Sequence, residues 1–460
     1  MSSTVAITLC SVVGAIVLIE LTFYIIVHYF VVPNIQPLKE PPPHVDSHET
    51  FNRILSSLDS LETYDFDTFF RGYFKFVPLE DIYQQNFRSF LAWVTFSKKL
   101  EDIDEEEMEI VDEQEQMVYN RYDFKLKEGH NPDCEHCCMT YEDIPFIHRP
   151  LIVYILAGLF DMVGGILYRS CGFRRMEYNG MEYWHHPGVI MAAQDYEAVG
   201  SDAKTPMVLF HGITLGWMNY FALVRALGHE REVFLVDVDA IKMMSLVFEM
   251  PTPEKLCALV RQILLRHKVP RVHVVGHSFG SITAGWFVRE FPNLTTHLTL
   301  LDPVSLLLGL PDVAYSFLYR KPTKLMESII YYVAASELTI AHVLRRHFWW
   351  YKNILWLEDL APHIHIVVGL AGGDEVANAT SVREYVLQMK KKRDGERQAA
   401  SELDANFEEK EDKPDVELGH VEVLFWDGYS HGQCTACKTA IHEVHQVIKT
   451  IDKTSSLLKA

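Results

Sequence analysis

The sequence predicts an α/β fold built on a mostly parallel sheet, and three observations lead there. Eight short apolar runs with strand character recur at 173–178, 181–186, 206–210, 233–238, 272–275, 297–301, 363–369 and 421–426. Helical segments fit between the later ones. One of these has Thr252 placed as a cap, Pro253 at the first helical position and the amphipathic run LCALVRQILLRH behind them. The first two runs flank Asn179-Gly180, the dipeptide that best closes a tight hairpin. A hairpin followed by strands alternating with helices reads as a parallel sheet with an antiparallel edge.

The remaining segments are taken in chain order. Residues 5–32 are almost wholly apolar, longer than the roughly 20 residues needed to span a bilayer, and Pro33 is expected to end the helix. No Lys or Arg precedes this run, while Lys39 and Arg53 follow it. That pattern favours an anchor over a cleaved leader, with the rest of the chain on the cytosolic side. Glu20 within the span is costly there, and marks either a helix contact, a substrate path or a tolerated interfacial charge. Residues 1–33 are therefore read as a transmembrane anchor, and 34–150 as a proline-rich linker followed by an accessory region of aromatic-rich helices. The α/β domain is read over 151–460. Its opening run, 151–168, is interrupted by Asp161 and reads as a buried or membrane-surface helix in preference to a second span. Residues 389–418 are charged and sequence-simple, and a disordered insert is expected there.

Composition excludes some classes. With 460 residues and 48% hydrophobic content the chain builds a large core, and a net charge of −20 argues against a nucleic-acid partner, which requires basic surface. The block 101–115 (EDIDEEEMEIVDEQE) is a solvated helix face or loop. The eight cysteines form no obvious disulfide framework. Two C-x-x-C pairs, Cys134/Cys137 with Cys138 adjacent and Cys434/Cys437, supply four thiols of the kind that hold zinc. Nearly 300 residues separate them and nothing in the sequence brings them together, so no metal or other cofactor is assigned.

The chemistry centres on Ser278. After the run 272–275 comes Gly276-His277-Ser278-Phe279-Gly280, then a small-residue helix. This is the G-x-S-x-G elbow, a strained strand-to-helix turn that lifts a serine hydroxyl clear of the backbone, with Gly276 and Gly280 where a Cβ would collide. A serine needs a base, an acid to orient that base and donors for the oxyanion. His431, shortly after the last strand and beside Gly432, is the base candidate. Asp374, in the turn GLAGGDE after the seventh strand, is the acid candidate, with Glu375 and Asp302 as rivals. The oxyanion donors are sought in the Phe279 amide and in the Ile213 amide, which follows His211-Gly212 after the third strand.

On these residues the chain resembles the α/β-hydrolase superfamily: His211-Gly212, the GHSFG elbow, and the order Ser278, Asp374, His431. The segments RGYFKFVPLEDI, NFRSFLAWVTF, HRPLIVY and FWWYKNILWLEDL are similar to a poorly described group of membrane-anchored hydrolases of fungi and related eukaryotes. The resemblance implies an eight-stranded sheet covered by helices on both faces, and a cap between strands six and seven, where 303–360 lies. This cap is rich in bulky apolar residues, as an acyl-binding lid would be. It further implies a serine hydrolase of the esterase or lipase kind acting on a lipophilic acyl ester. The other readings are acyl transfer through the same acyl-enzyme, and a catalytically silent receptor or scaffold on the same fold.

Overall fold

A computed structural model describes residues 3–42, 46–188, 205–228, 231–406 and 418–457. Its centre is an eight-stranded sheet in the order β1-β2-β4-β3-β5-β6-β7-β8. The strands are β1 (Arg174–Tyr178), β2 (Met181–His186), β3 (Met207–Phe210), β4 (Val233–Val236), β5 (Val272–His277), β6 (Thr295–Leu301), β7 (His365–Ala371) and β8 (Val421–Trp426). β1 and β2 form the expected hairpin, β2 runs antiparallel to β4, and every later pairing is parallel. All eight strands fall on the predicted runs, shifted by two residues or fewer at their ends.

The strand pleat divides the core in two. Val208, Phe210, Phe234, Val274, Leu298 and Ile366 face one cluster, while Met207, Leu209, Leu235, Val275 and Val367 face the other. The first cluster continues without a break into the helices Ser47–Asp59, Phe66–Tyr73, Gln84–Phe96 and Glu105–Tyr122 and into the segment between β6 and β7. The accessory helices are thus welded to the cap. Tyr73 donates its hydroxyl to the Gly309 carbonyl at 2.8 Å, and Tyr64 donates to Asp312 at 2.6 Å. Arg53 makes a two-pronged contact with Asp359 at 2.7 and 2.8 Å. The acidic block supplies the helix Glu105–Tyr122, closed by a reciprocal Asp104–Glu107 capping box. Most of its charges line a solvated face, as the composition suggested, but Glu115 is buried and accepts the Tyr119 hydroxyl at 2.8 Å.

Two expectations are corrected. The stretch expected to be disordered from 389 is helical as far as Asn406, within the helix Ala379–Asn406; residues 407–417 lie outside the described residues. Lys, Arg, Glu, Gln and Ala are strong helix formers, and a charged composition does not prevent a helix that gains a tertiary anchor. That anchor is Arg393, buried and donating to the carbonyls of Pro362 and Ile364 at 2.9 and 3.0 Å. Nor does Pro33 end the N-terminal helix, which continues to Ile35. A π-helical turn at Ile26–Val31 precedes the proline, and the Asn34 side chain donates to the Phe30 carbonyl at 2.6 Å. A widened turn and a side-chain donor re-satisfy the backbone that a proline disturbs.

The run beginning at 151 forms a helix, Leu151–Ser170, lying on the body. Its inner side carries Ala157, Gly164, Gly165 and Tyr168, and its outer side exposes Ile152, Ile155, Leu156, Leu159, Met162, Val163 and Ile166. Gly164 faces Met218 and Gly165 faces the Trp184 ring so closely that a Cβ at either would be tight, at 3.1 and 3.3 Å. By length and composition this helix and the N-terminal one are both apolar enough to cross a membrane. Glu20 has a specific partner: its carboxylate accepts the Leu151 amide at 2.9 Å, capping the start of the second helix.

Candidate active site

The parallel strands deliver three loops to one edge of the sheet. β5 ends in the elbow. Ser278 sits at φ +53°, a left-handed conformation that costs a serine on the order of 1–3 kcal/mol and is held by the surrounding structure. Its amide donates to the Leu301 carbonyl at 3.0 Å, and the helix Gly280–Glu290 starts two residues later. A Cβ on Gly276 would lie 2.6 Å from the Gly280 carbonyl oxygen, and one on Gly280 would strike the Phe210 carbonyl. Gly212 is required by the site itself, since a Cβ there would sit 2.8 Å from the Ser278 Cβ.

Ser278 Oγ lies 2.8 Å from His431 Nε2, and His431 Nδ1 lies 2.7 Å from Asp374 Oδ2. The other Asp374 oxygen accepts the amides of Val376 and Ala377 at 2.7 and 3.0 Å, which holds the carboxylate plane in place. The rival acids occupy different posts. Glu375 accepts the His431 backbone amide at 3.0 Å. Asp302, fully buried, accepts the Ala371 amide at 2.7 Å and the Gly432 amide at 2.8 Å, and takes the Cys434 thiol at 3.2 Å. Neither rival reaches the imidazole, yet both grip the loop that carries it.

Three carboxylates around one imidazole have an electrostatic consequence. Burial disfavours the His431 charge, but Asp374 by charge and hydrogen bond, then Asp302 and Glu375, outweigh it and push the pKa up to about 9. Burial raises the Asp302 carboxyl above its ordinary value, partly offset by His431.

Ile213 and Phe279 both line a cavity against Ser278, and no hydrogen bond from either amide to another protein group is seen among the described residues. His211 serves the framework: its Nε2 accepts the Val238 amide at 3.1 Å and its Nδ1 donates to the Gly212 carbonyl at 2.8 Å.

Sequence reasoning missed two further features. Tyr220 accepts the Gly212 amide at 2.8 Å, and its hydroxyl oxygen also lies 2.8 Å from His277 Nδ1. This holds the glycine turn beneath Ser278; burial, with His431 close by, keeps His277 neutral. The other missed feature is the accessory region's share in the cavity, about 420 Å³, which opens from Ser278 and His431 beneath the cap. Its walls come from three distant parts of the chain: Ile213 and Phe279 from the sheet edge, Leu308, Phe317 and Phe348 from the cap, and Tyr73, Trp93 and Met139 from the accessory region. Nothing in the local sequence around Tyr73, Trp93 or Met139 signals a site more than 100 residues away.

The two C-x-x-C pairs sit apart. Cys134 and Cys137 belong to the core on the cap side of the sheet, and Cys434 to the opposite core. Burial pushes the Cys137 thiol up to about 12, far from a ready thiolate.

Residues 205–326 match the family described as the α/β hydrolase fold. A search of curated proteins found no match. Among solved structures the chain is similar to a membrane phospholipase A described as a bacterial virulence factor, at 16% identity and TM-score 0.37, covering 64% of this chain and 94% of that one. It is similar to a meta-cleavage product hydrolase from Pseudomonas fluorescens at 12% identity and TM-score 0.37, covering 61% and 98%. It is also similar to naproxen esterase from Bacillus subtilis at 10% identity and TM-score 0.33, covering 60% and 90%. The family match over residues 205–326, the strand order and the elbow at the end of β5 are those of the α/β-hydrolase fold.

Proposed function

We propose that the protein is a membrane-anchored serine hydrolase that cleaves lipophilic acyl esters through an acyl-enzyme. The observation that carries the reading is the hydrogen-bonded series Ser278–His431–Asp374 at the floor of an apolar cavity. Ser278 Oγ attacks the ester carbonyl while His431 Nε2 takes its proton. Asp374 keeps the other imidazole nitrogen protonated and stabilises the imidazolium. The Phe279 and Ile213 amides receive the oxyanion, a stabilisation whose loss costs roughly a hundred- to thousandfold per donor. The tetrahedral intermediate collapses as His431 returns the proton to the leaving alkoxide, and the alcohol departs. Water, deprotonated by His431, then attacks the acyl carbon and frees Ser278 as the carboxylic acid leaves.

The long apolar N-terminal helix supports an anchor, and Lys39 and Arg53 after it support a cytosolic catalytic domain. The mostly apolar cavity walls support an acyl substrate. The test is covalent labelling of the full-length protein by a fluorophosphonate probe, followed by a panel of lipid esters. Labelling of the wild type that is lost in Ser278→Ala is expected. A folded wild type that never labels would point to the silent scaffold instead.

A further inference from the structure

Three apolar surfaces meet at one corner of the molecule. The helix Leu151–Ser170 turns Ile152, Ile155, Leu156, Leu159 and Ile166 to the outside. The cap helix Leu325–Ala335 exposes Leu325, at 79%, with Met326, Ile329 and Tyr332. Arg149 ties the two together. Its guanidinium donates to the Ser336 carbonyl at 2.8 Å and to the Tyr332 carbonyl, and it lies 4.7 Å from the centre of the Tyr332 ring. The Ile147 amide reaches the same Ser336 carbonyl at 3.0 Å. The N-terminal helix joins at this corner through Glu20 on the Leu151 amide and through Phe23, whose ring centre is 5.2 Å from that of Tyr154.

The inner side of the same cap helix, Ile330, Val333 and Ala334, lines the cavity above Ser278. Ile329 does both: it is exposed outside and lines the cavity within. Only about one helix thickness separates this outer surface from the cavity. Exposed Lys321 and Lys324 immediately precede the cap helix in an otherwise strongly acidic chain. An exposed apolar face rimmed by lysines, continuous with a helix long enough to span a bilayer, has the chemistry of a lipid surface that includes anionic headgroups.

We propose that the outer faces of Leu151–Ser170 and Leu325–Ala335 form a single lipid-docking surface, and that the acyl chain passes from the bilayer into the cavity beside Ile329 without crossing water. This rests on the reading of the protein as a hydrolase of lipophilic esters, and it specifies the substrate as one resident in the membrane.

The experiment uses full-length protein in vesicles of phosphatidylcholine with added phosphatidylserine. Two double variants, Leu325→Glu/Met326→Glu and Ile155→Glu/Leu159→Glu, are compared with wild type on a long-chain acylglycerol dissolved in the vesicles and on p-nitrophenyl butyrate in solution. Hydrolysis of the vesicle ester is expected to fall tenfold or more, with the soluble ester and fluorophosphonate labelling unchanged. A second readout needs no activity: Leu325→Cys and Leu159→Cys are treated with a membrane-impermeant maleimide beside Lys391→Cys, an exposed position on the helix Ala379–Asn406, with unsubstituted protein as the background. The first two are expected to react at least tenfold more slowly. Equal reactivity, or vesicle hydrolysis unaffected by the Glu pairs, overturns the proposal. So does shielding that accompanies a dimeric mass abolished by the Glu pairs, which assigns the face to a second copy of the chain. If the wild type labels with no fluorophosphonate, the catalytic reading fails while the maleimide result still decides the surface.

Discussion

The proposed catalytic edge of the sheet and the cavity above it are built on opposite principles. The edge is local: Ser278, Asp374 and His431 each sit in a short loop directly after a strand, and parallel pairing alone brings the three loops side by side. The cavity is global: its walls are drawn from residues 73 to 436, and no two of its three sources adjoin in sequence. On the proposed function, chemistry that demands sub-ångström alignment is placed on short loops of a rigid frame, whereas acyl binding, which tolerates looser fit, is shared among packed helices.

The largest expected effects come from the edge. Ser278→Ala should abolish fluorophosphonate labelling and lower ester hydrolysis about 10⁴-fold or more, and Asp374→Asn about 10³- to 10⁴-fold by disturbing the imidazole tautomer. Both should leave thermal unfolding within a few degrees of wild type. Loss of activity through unfolding in either variant would erase the distinction between edge and wall.

Asp302→Asn sharpens the comparison from inside the edge. One of its two buried acceptor posts, for the Ala371 and Gly432 amides, becomes a donor facing a donor. About 1–3 kcal/mol of stability should be lost, measurable by denaturant unfolding, with kcat falling more than KM rises because the His431 loop is loosened. At the wall, Met139→Phe should cut kcat/KM for long acyl chains about tenfold while sparing butyrate, since added bulk in a packed pocket is felt by the substrate that fills it. If long and short chains suffer equally, Met139 is not part of the acyl wall.

The smallest effect is a shift along the pH axis. A base must be neutral, so hydrolysis should climb as pH rises through the raised His431 pKa of about 9. Stability runs the other way. The imidazolium gains more from its carboxylates in the folded state, so this contribution is complete below the ordinary histidine value near 6.5 and is lost as pH rises towards 9. Glu375→Gln removes one negative neighbour, weakens the charged form and should move the activity limb to lower pH. A profile that does not move would mean that Glu375 acts only through its bond to the His431 amide.

How much of this was legible follows the same division. The eight strands, the elbow, His431 and the three acid candidates can be read from period-two apolar runs and from turn residues at strand ends, because each rests on a few neighbouring residues. The exchange of roles among Asp302, Asp374 and Glu375 cannot, since three carboxylates at two strand ends look alike until distances to the imidazole exist. The disorder expected from 389 failed because helix propensity and a buried Arg393 outweighed a charged composition.

The sequence by itself determined the sheet, the elbow that carries Ser278 and the candidate residues around it, since strand period and strained turns are local properties. Only the tertiary structure decided which acid meets the imidazole, what the accessory helices contribute to the cavity, and that Glu20 caps a second apolar helix. Those depend on packing between segments tens to hundreds of residues apart, where side chains compete for one position and only the folded chain chooses among them.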